Sequence, residues 1–114
     1  MKPKAIFLDI DGTLTEPGTN VPPASALEAI RRAQEAGNYV FLCTGRNYAM
    51  LSPLLKYGFD GVVAACGMYA DYQGKLLFAE EMRQEVLDDI LPVLQRTETM
   101  YILEGTEYIY YDEN

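Results

Sequence analysis

The chain has 114 residues, a length suited to one domain or to one domain with part of another. Its net charge of −8, with only nine basic residues, argues against a general nucleic-acid surface, because phosphate backbones need a basic stripe. It contains no histidine, which excludes an imidazole-ligated zinc site and a histidine-based catalytic triad.

The start, Met1-Lys2-Pro3-Lys4, leads only into a short apolar run. Neither a signal peptide nor a membrane span is predicted, and a cytoplasmic protein is expected. Ala5–Ile10 reads as a buried parallel strand, continuous and short. It drives into two carboxylates one residue apart, in Phe7-Leu8-Asp9-Ile10-Asp11-Gly12-Thr13-Leu14-Thr15. Alternate residues of a strand share a face, so Asp9 and Asp11 can converge where the strand ends and the backbone turns at Gly12. Two carboxylates at the carboxyl edge of a sheet offer a seat for a hard cation and a nucleophile. An Asp- and Gly-rich turn that merely closes a strand would read the same in isolation.

Thr13–Pro23 is a predicted loop, broken by Pro17, Gly18, Asn20, Pro22 and Pro23. Ala24, Leu27, Ile30 and Ala33 then recur at helical spacing, and Gly37 is placed to end that helix. Tyr39–Cys43 reads as a second buried strand. It ends in Thr44-Gly45-Arg46, a hydroxyl and a glycine before a predicted helix. Such junctions present backbone N–H groups to anions. Thr44 can donate to a phosphate oxygen, Gly45 allows close backbone approach, and Arg46 can pair with anionic or hydroxyl groups. Read alone, the same residues also suit a helix N-cap beside a solvated arginine. A second helix is predicted over Tyr48–Tyr57, closed by Gly58, with Pro53 either kinking it or marking its first turn. Gly61–Ala65 reads as a third strand. The alternation points to a parallel sheet with right-handed crossovers.

After Cys66 the texture changes. Met68–Tyr72 and Lys75–Ala79 flank Gln73-Gly74 as a hairpin. Glu81–Arg96 reads as a helix with Val86, Ile90, Val93 and Leu94 on its apolar face, and with a break expected at Pro92. Thr99–Leu103 and Glu107–Tyr111 form a second predicted hairpin around Gly105-Thr106. Cys43 and Cys66 lack metal-ligand spacing and are expected to be buried, reduced thiols. Asp88-Asp89 reads as a solvated helix face, and Asp112 and Glu113 as a frayed terminus.

The stretch around Asp9 and Asp11 resembles the first motif of the haloacid dehalogenase-like hydrolases, mostly phosphatases: Asp-x-Asp-Gly-Thr after an apolar strand. Thr44-Gly45 resembles the second motif of that family. The resemblance implies an α/β fold, a Rossmann-like three-layer sandwich with flanking helices. It also implies Asp9 as the nucleophile that becomes an aspartyl phosphate and Asp11 as general acid/base. Gly12, Thr44, Gly45 and Arg46 become phosphate or substrate ligands, and Asp9 and Asp11 the carboxylates for magnesium. Val62 to Ala70 with Gln73-Gly74-Lys75 is similar to the Cof-type branch, which carries an inserted α/β cap. Cys66 stands where that branch usually has Asn. On this reading residues 1–80 form the front of the core domain and 81–114 the beginning of the cap. The resemblance covers essentially the whole chain but only the first half of the family's length. The family's later lysine and second acidic pair find no counterpart, since neither Lys56 nor Lys75 follows a strand that could face Asp9. The implied substrate is a small phosphorylated metabolite. The isolated 114-residue chain is expected to be weak or inactive as an enzyme, and the alternative is a non-catalytic phosphate- or cation-binding module or an interaction fragment that lacks the later catalytic residues. An unpartnered edge on the first strand is expected to favour self-association.

Overall fold

The computed structural model describes residues 2–111. Strands β1 (Ala5–Leu8), β2 (Tyr39–Cys43), β3 (Gly61–Ala64), β4 (Tyr69–Tyr72) and β5 (Lys75–Ala79) lie side by side in sequence order. The first three are parallel, and β4 and β5 are antiparallel additions. Ile6 sits opposite Val40, and Leu42 opposite Val62. Helix α1 (Ala24–Glu35) bridges β1 to β2, and α2 (Ser52–Leu55) bridges β2 to β3.

Local chemistry explains most boundaries. Pro23 takes the N-cap position of α1, where a missing N–H costs nothing. At the other end Gly37 adopts φ +91°, and the N–H groups of Gly37 and Asn38 donate to the carbonyls of Gln34 and Ala33. That paired closure requires the left-handed conformation that glycine alone adopts freely. Gln73 and Gly74 both have positive φ, as a two-residue type I′ hairpin turn demands.

The expected helix over Tyr48–Tyr57 is divided. Tyr48–Met50 forms a 3₁₀ turn, and α2 begins again at Ser52 with Pro53 in its first turn. Proline fits a first turn and nowhere further in, so the chain restarts the helix rather than bending through it. Leu51, at the break, is fully buried. Pro92 behaves in the opposite way. Helix α3 (Gln84–Arg96) starts three residues later than expected and runs through Pro92 without interruption. The helix is exposed there, so water can serve the backbone carbonyl that proline leaves without a donor.

The core lies on one face of the sheet. Ile30 of α1, Leu51 beside α2 and Leu54 within it pack with Val40, Leu42, Val62 and Ala64. Two right-handed crossovers that step in the same direction place both helices on the same side. The described residues therefore build two of the three expected layers. The other face carries an aromatic strip in which Phe7 stacks on Phe41 at 5.0 Å and Phe41 on Tyr72 at 6.1 Å. Gly61 makes room for that strip, since a β-carbon there would meet the Phe41 ring at 2.7 Å and the Asp71 carbonyl at 2.3 Å. Beyond Ala79, α3 and the antiparallel pair β6 (Ile102–Glu104) and β7 (Ile109–Tyr111) leave the sheet. No residue of α3 is buried. Asp88 and Asp89 are exposed on it, as expected. Asp112 and Glu113 lie outside the described residues.

Candidate active site

The site forms where β1 and β2 end. Strand β1 stops at Leu8, one residue short of Asp9, whose side chain is exposed. Ile10 follows, fully buried, and its carbonyl gathers the N–H groups of Thr13, Leu14 and Thr15 at 3.1, 3.0 and 3.0 Å. This coil turns the chain sharply and leaves Asp11 at the sheet's carboxyl rim. Gly12 adopts φ +81° within it and spends its N–H on the Thr15 carbonyl at 2.8 Å. Its contribution is conformational, because that donor is already engaged.

Thr44 is 5% exposed and is anchored by its own N–H, which donates to the Val63 carbonyl at 2.9 Å. Its hydroxyl accepts the Arg46 N–H at 3.0 Å, a local turn that leaves the hydroxyl hydrogen to donate elsewhere. Neither Thr44 nor Asn47 acts as a side-chain helix cap at this junction. Gly45 is exposed, and a β-carbon on it would lie 3.4 Å from Cys66 Sγ.

Arg46 ties the two strand ends together. Its Nε and Nη2 donate to the two carboxylate oxygens of Asp11, at 2.9 and 2.6 Å. The guanidinium also donates to Asn20 Oδ1 at 2.6 Å and to the Thr19 carbonyl at 3.2 Å. A planar fork of this kind matches a carboxylate with two parallel bonds. The Gly18 N–H adds a third donor to Asp11 at 3.0 Å. The Arg46 hydrogen bonds, then that of Gly18, hold the Asp11 carboxyl down to about 2. In this arrangement Asp11 is an anion at neutral pH. It cannot donate a proton until Arg46 withdraws or finds another anion.

The structure thus brings Asp11, Thr44 and Arg46 into one hydrogen-bonded group, with Asp9 two residues from Asp11 on the same strand end. Thr19, Asn20 and Gly18 were not singled out from sequence. Their only signal was a loop rich in turn residues, which gives no hint of what the loop holds. The cysteines require a correction: Cys43 and Cys66 are both exposed. Cys43 is the last residue of β2 and follows the buried Leu42, so strand alternation turns it to the open face. Cys66 sits in a reversal with φ +54°, between Ala65 at +51° and Gly67 at +94°. Asn adopts that conformation more readily than other side chains, so Asn at this position would have a backbone reason as well as a chemical one.

The donor chemistry suits a hard cation. Magnesium takes one or two carboxylates and keeps water or substrate phosphate oxygens for its remaining positions. Asp9 and Asp11 supply that number and kind of ligand, although Arg46 engages both oxygens of Asp11. Among the described residues no group of three acidic, cysteine or histidine side chains could hold a metal ion. None of the described helices is long and apolar enough to cross a membrane.

Comparison with known proteins identifies the family and the fold. The family profile described as haloacid dehalogenase-like hydrolase matches residues 6–114. Phosphoglycolate phosphatase of Metallosphaera sedula is 38% identical over 91 residues, 75% of this chain and 40% of the relative. Pyridoxal phosphate phosphatase YbhA of Escherichia coli is 37% identical over 78 residues, 66% of this chain and 28% of the relative. Among solved structures, a subclass IIB sugar phosphatase of the same superfamily superposes with a TM-score of 0.79 at 29% identity, over 93% of this chain and 42% of that one. The chain spans less than half the length of these relatives.

Proposed function

The chain belongs to the haloacid dehalogenase-like hydrolases, and from that premise we propose that it carries the nucleophile half of a magnesium-dependent phosphomonoesterase acting on a small phosphorylated metabolite in the cytoplasm. The observation that carries this reading is the Arg46–Asp11 pair, which fastens the end of β1 to the Thr44-Gly45 turn after β2. Asp9 attacks phosphorus and forms an aspartyl phosphate, so that one slow hydrolysis becomes two faster steps. Once Arg46 turns to the substrate phosphate and Asp11 has taken up a proton from solvent, Asp11 gives that proton to the leaving oxygen, and it then takes a proton from the water that hydrolyses the aspartyl phosphate. Thr44 donates its hydroxyl hydrogen to a phosphoryl oxygen. Asp9 and Asp11 would hold magnesium, which supplies neutralisation of the anionic phosphoryl oxygens when bound. Residues 1–80 are assigned to the core and 81–114 to the beginning of a cap.

The test is release of nitrophenol from p-nitrophenyl phosphate with magnesium, the chain being compared with Asp9→Asn. Release that falls to background in Asp9→Asn supports the assignment; equal release in both proteins rejects it. A second reading is favoured by the lack of a three-ligand metal cluster among the described residues. On that reading the chain binds phosphate without turning it over. Calorimetric binding of inorganic phosphate with no detectable nitrophenol release would support it.

A further inference from the structure

The backbone that follows β3 is strained. Ala65 and Cys66 take φ +51° and +54° in succession, and Gly67 follows at +94°. Left-handed backbone is ordinary for glycine and unfavourable for an L side chain, and two such residues in a row persist only where their surroundings hold them. Here the Thr44-Gly45-Arg46 turn holds them. Thr44 continues the parallel ladder, its N–H donating to the Val63 carbonyl at 2.9 Å. In an unbroken ladder the next bond would run from the Ala65 N–H to the Thr44 carbonyl. Instead the Ala65 N–H reaches the Arg46 carbonyl at 2.7 Å, and the Cys66 N–H takes the Thr44 carbonyl at 3.2 Å. The Met68 N–H closes the reversal on the Ala65 carbonyl at 3.2 Å. One extra residue in the ladder re-aims the groups beside it, as bulges next to active sites do.

Fixing the Thr44 carbonyl also fixes the donor on the other side of the same peptide. Among the described residues no peptide bond is cis, so each N–H points opposite to the carbonyl it is joined to. The Thr44 carbonyl points toward the chain after β3, and β2 lies between β3 and β1. The Gly45 N–H therefore points toward the end of β1, the side of Asp9 and Asp11. No backbone carbonyl among the described residues accepts it. Strand β1 has already ended at Leu8, and the Ile10 carbonyl is filled by Thr13, Leu14 and Thr15. A backbone N–H left over at this place is a donor for an anion, and such charge-assisted bonds are among the stronger ones. The two turns also touch, since Cys66 Sγ lies 3.4 Å from where a β-carbon on Gly45 would stand.

We infer that Cys66 is a positioning residue for the reaction: through its left-handed backbone and its N–H, the Ala65-Cys66-Gly67 reversal turns the Thr44–Gly45 peptide so that the Gly45 N–H points at a phosphoryl oxygen beside Asp9. The inference rests on the phosphatase reading above. The thiol takes no part in the chemistry. The position needs a residue that accepts positive φ and keeps its N–H. Asn and Gly meet both needs, Val resists the first, and Pro meets neither.

The test follows the Gly45 amide resonance of the isotope-labelled 114-residue chain during titration with inorganic phosphate in the presence of magnesium, with affinity measured in parallel by calorimetry. The Gly45 amide proton is expected to move downfield as phosphate saturates the site. Cys66→Asn and Cys66→Gly should keep that shift and bind phosphate within about twofold of the wild-type chain. Cys66→Val and Cys66→Pro, checked for a native circular dichroism spectrum, should lose the shift and bind about tenfold more weakly, the loss of one hydrogen bond to a charged group. A Gly45 amide that stays in place while phosphate binds the wild-type chain overturns the inference, whether or not the variants fold. Cys66→Val binding as tightly as the wild-type chain overturns it too. Both of these outcomes leave the phosphatase reading standing. No binding of inorganic phosphate to the wild-type chain overturns that reading and this inference with it.

Discussion

A guanidinium is the hinge of the site's electrostatics. Arg46 is mostly shielded, with its side chain 11% exposed, while the Asp11 side chain is 39% exposed. Replacing Arg46 by alanine removes two hydrogen bonds from the Asp11 carboxylate and leaves only the Gly18 N–H. The Asp11 carboxyl is then expected to rise from about 2 toward its ordinary value near 3.8, read from the carbon chemical shift of its carboxyl group during an acid titration. The sign of the linked stability follows. A depressed carboxyl stabilises the fold above its unfolded value, and that contribution disappears as pH falls through about 2. The stability difference between the wild-type chain and Arg46→Ala should thus be full at neutral pH and close between about pH 4 and pH 2. A difference that stays constant across that range would show that Arg46 acts through packing alone. The carboxylates and the threonine were legible in sequence because strand, turn and hydroxyl are neighbours in the chain. The clasp on Asp11 was not, because it joins residues 35 apart through a loop whose turn residues do not announce their partners.

At the level of elements, the apolar pattern located β1 to β3 and α1, since each is set by nearby residues. It misjudged Pro92 and left Pro53 open between a kink and a first turn, for a common reason. Whether a proline breaks a helix depends on what surrounds it, and the surroundings are tertiary. Pro53 lies next to the fully buried Leu51 and Leu54, where a lost hydrogen bond has no water to replace it. Pro92 lies on a solvated helix, where water is at hand. The same contrast predicts an uneven distribution of stability. Leu54 is fully buried in the core, so Leu54→Ala should cost about 2–5 kcal/mol, a large share of the stability of a small domain. Val93 in α3 is 44% exposed, so Val93→Ala should cost less than about 1 kcal/mol. Urea midpoints measure both, and amide exchange in α3 should be faster than in β2. A Val93→Ala cost equal to that of Leu54→Ala would mean that α3 packs in solution against something the isolated fold does not contain.

As a whole molecule the chain is stretched. Its radius of gyration is 16.9 Å, with a longest extent of 55 Å, whereas a compact domain of this size has a radius of about 13 Å. The excess comes with two surfaces that lack covers. Strand β1 ends the sheet, with no strand paired on its outer side among the described residues. Beside it an apolar groove of about 330 Å³ runs between Ile6, Leu8 and Val40 on one wall and Ala26, Ile30 and Ala33 on the other. On the opposite face, Phe7 is 55% exposed although it stacks on Phe41. The handedness of the crossovers accounts for both gaps at once. Strands added beyond β1 would step the other way, and their helices would fall over the aromatic face. Without such strands an apolar edge pairs with whatever edge it meets, and the nearest supply is another copy of the same chain. Sedimentation velocity of the 114-residue chain is therefore expected to show a weight-average mass that climbs with concentration. Phe7→Lys places a charge on the open face of the edge strand and gives up only a partly exposed stacking contact, about 0.5–1.5 kcal/mol. That variant should keep a native circular dichroism spectrum and sediment as a monomer across the same range. A wild-type chain that sediments as a monomer at every concentration would show that the free edge and the aromatic strip are quiet surfaces and that self-association plays no part.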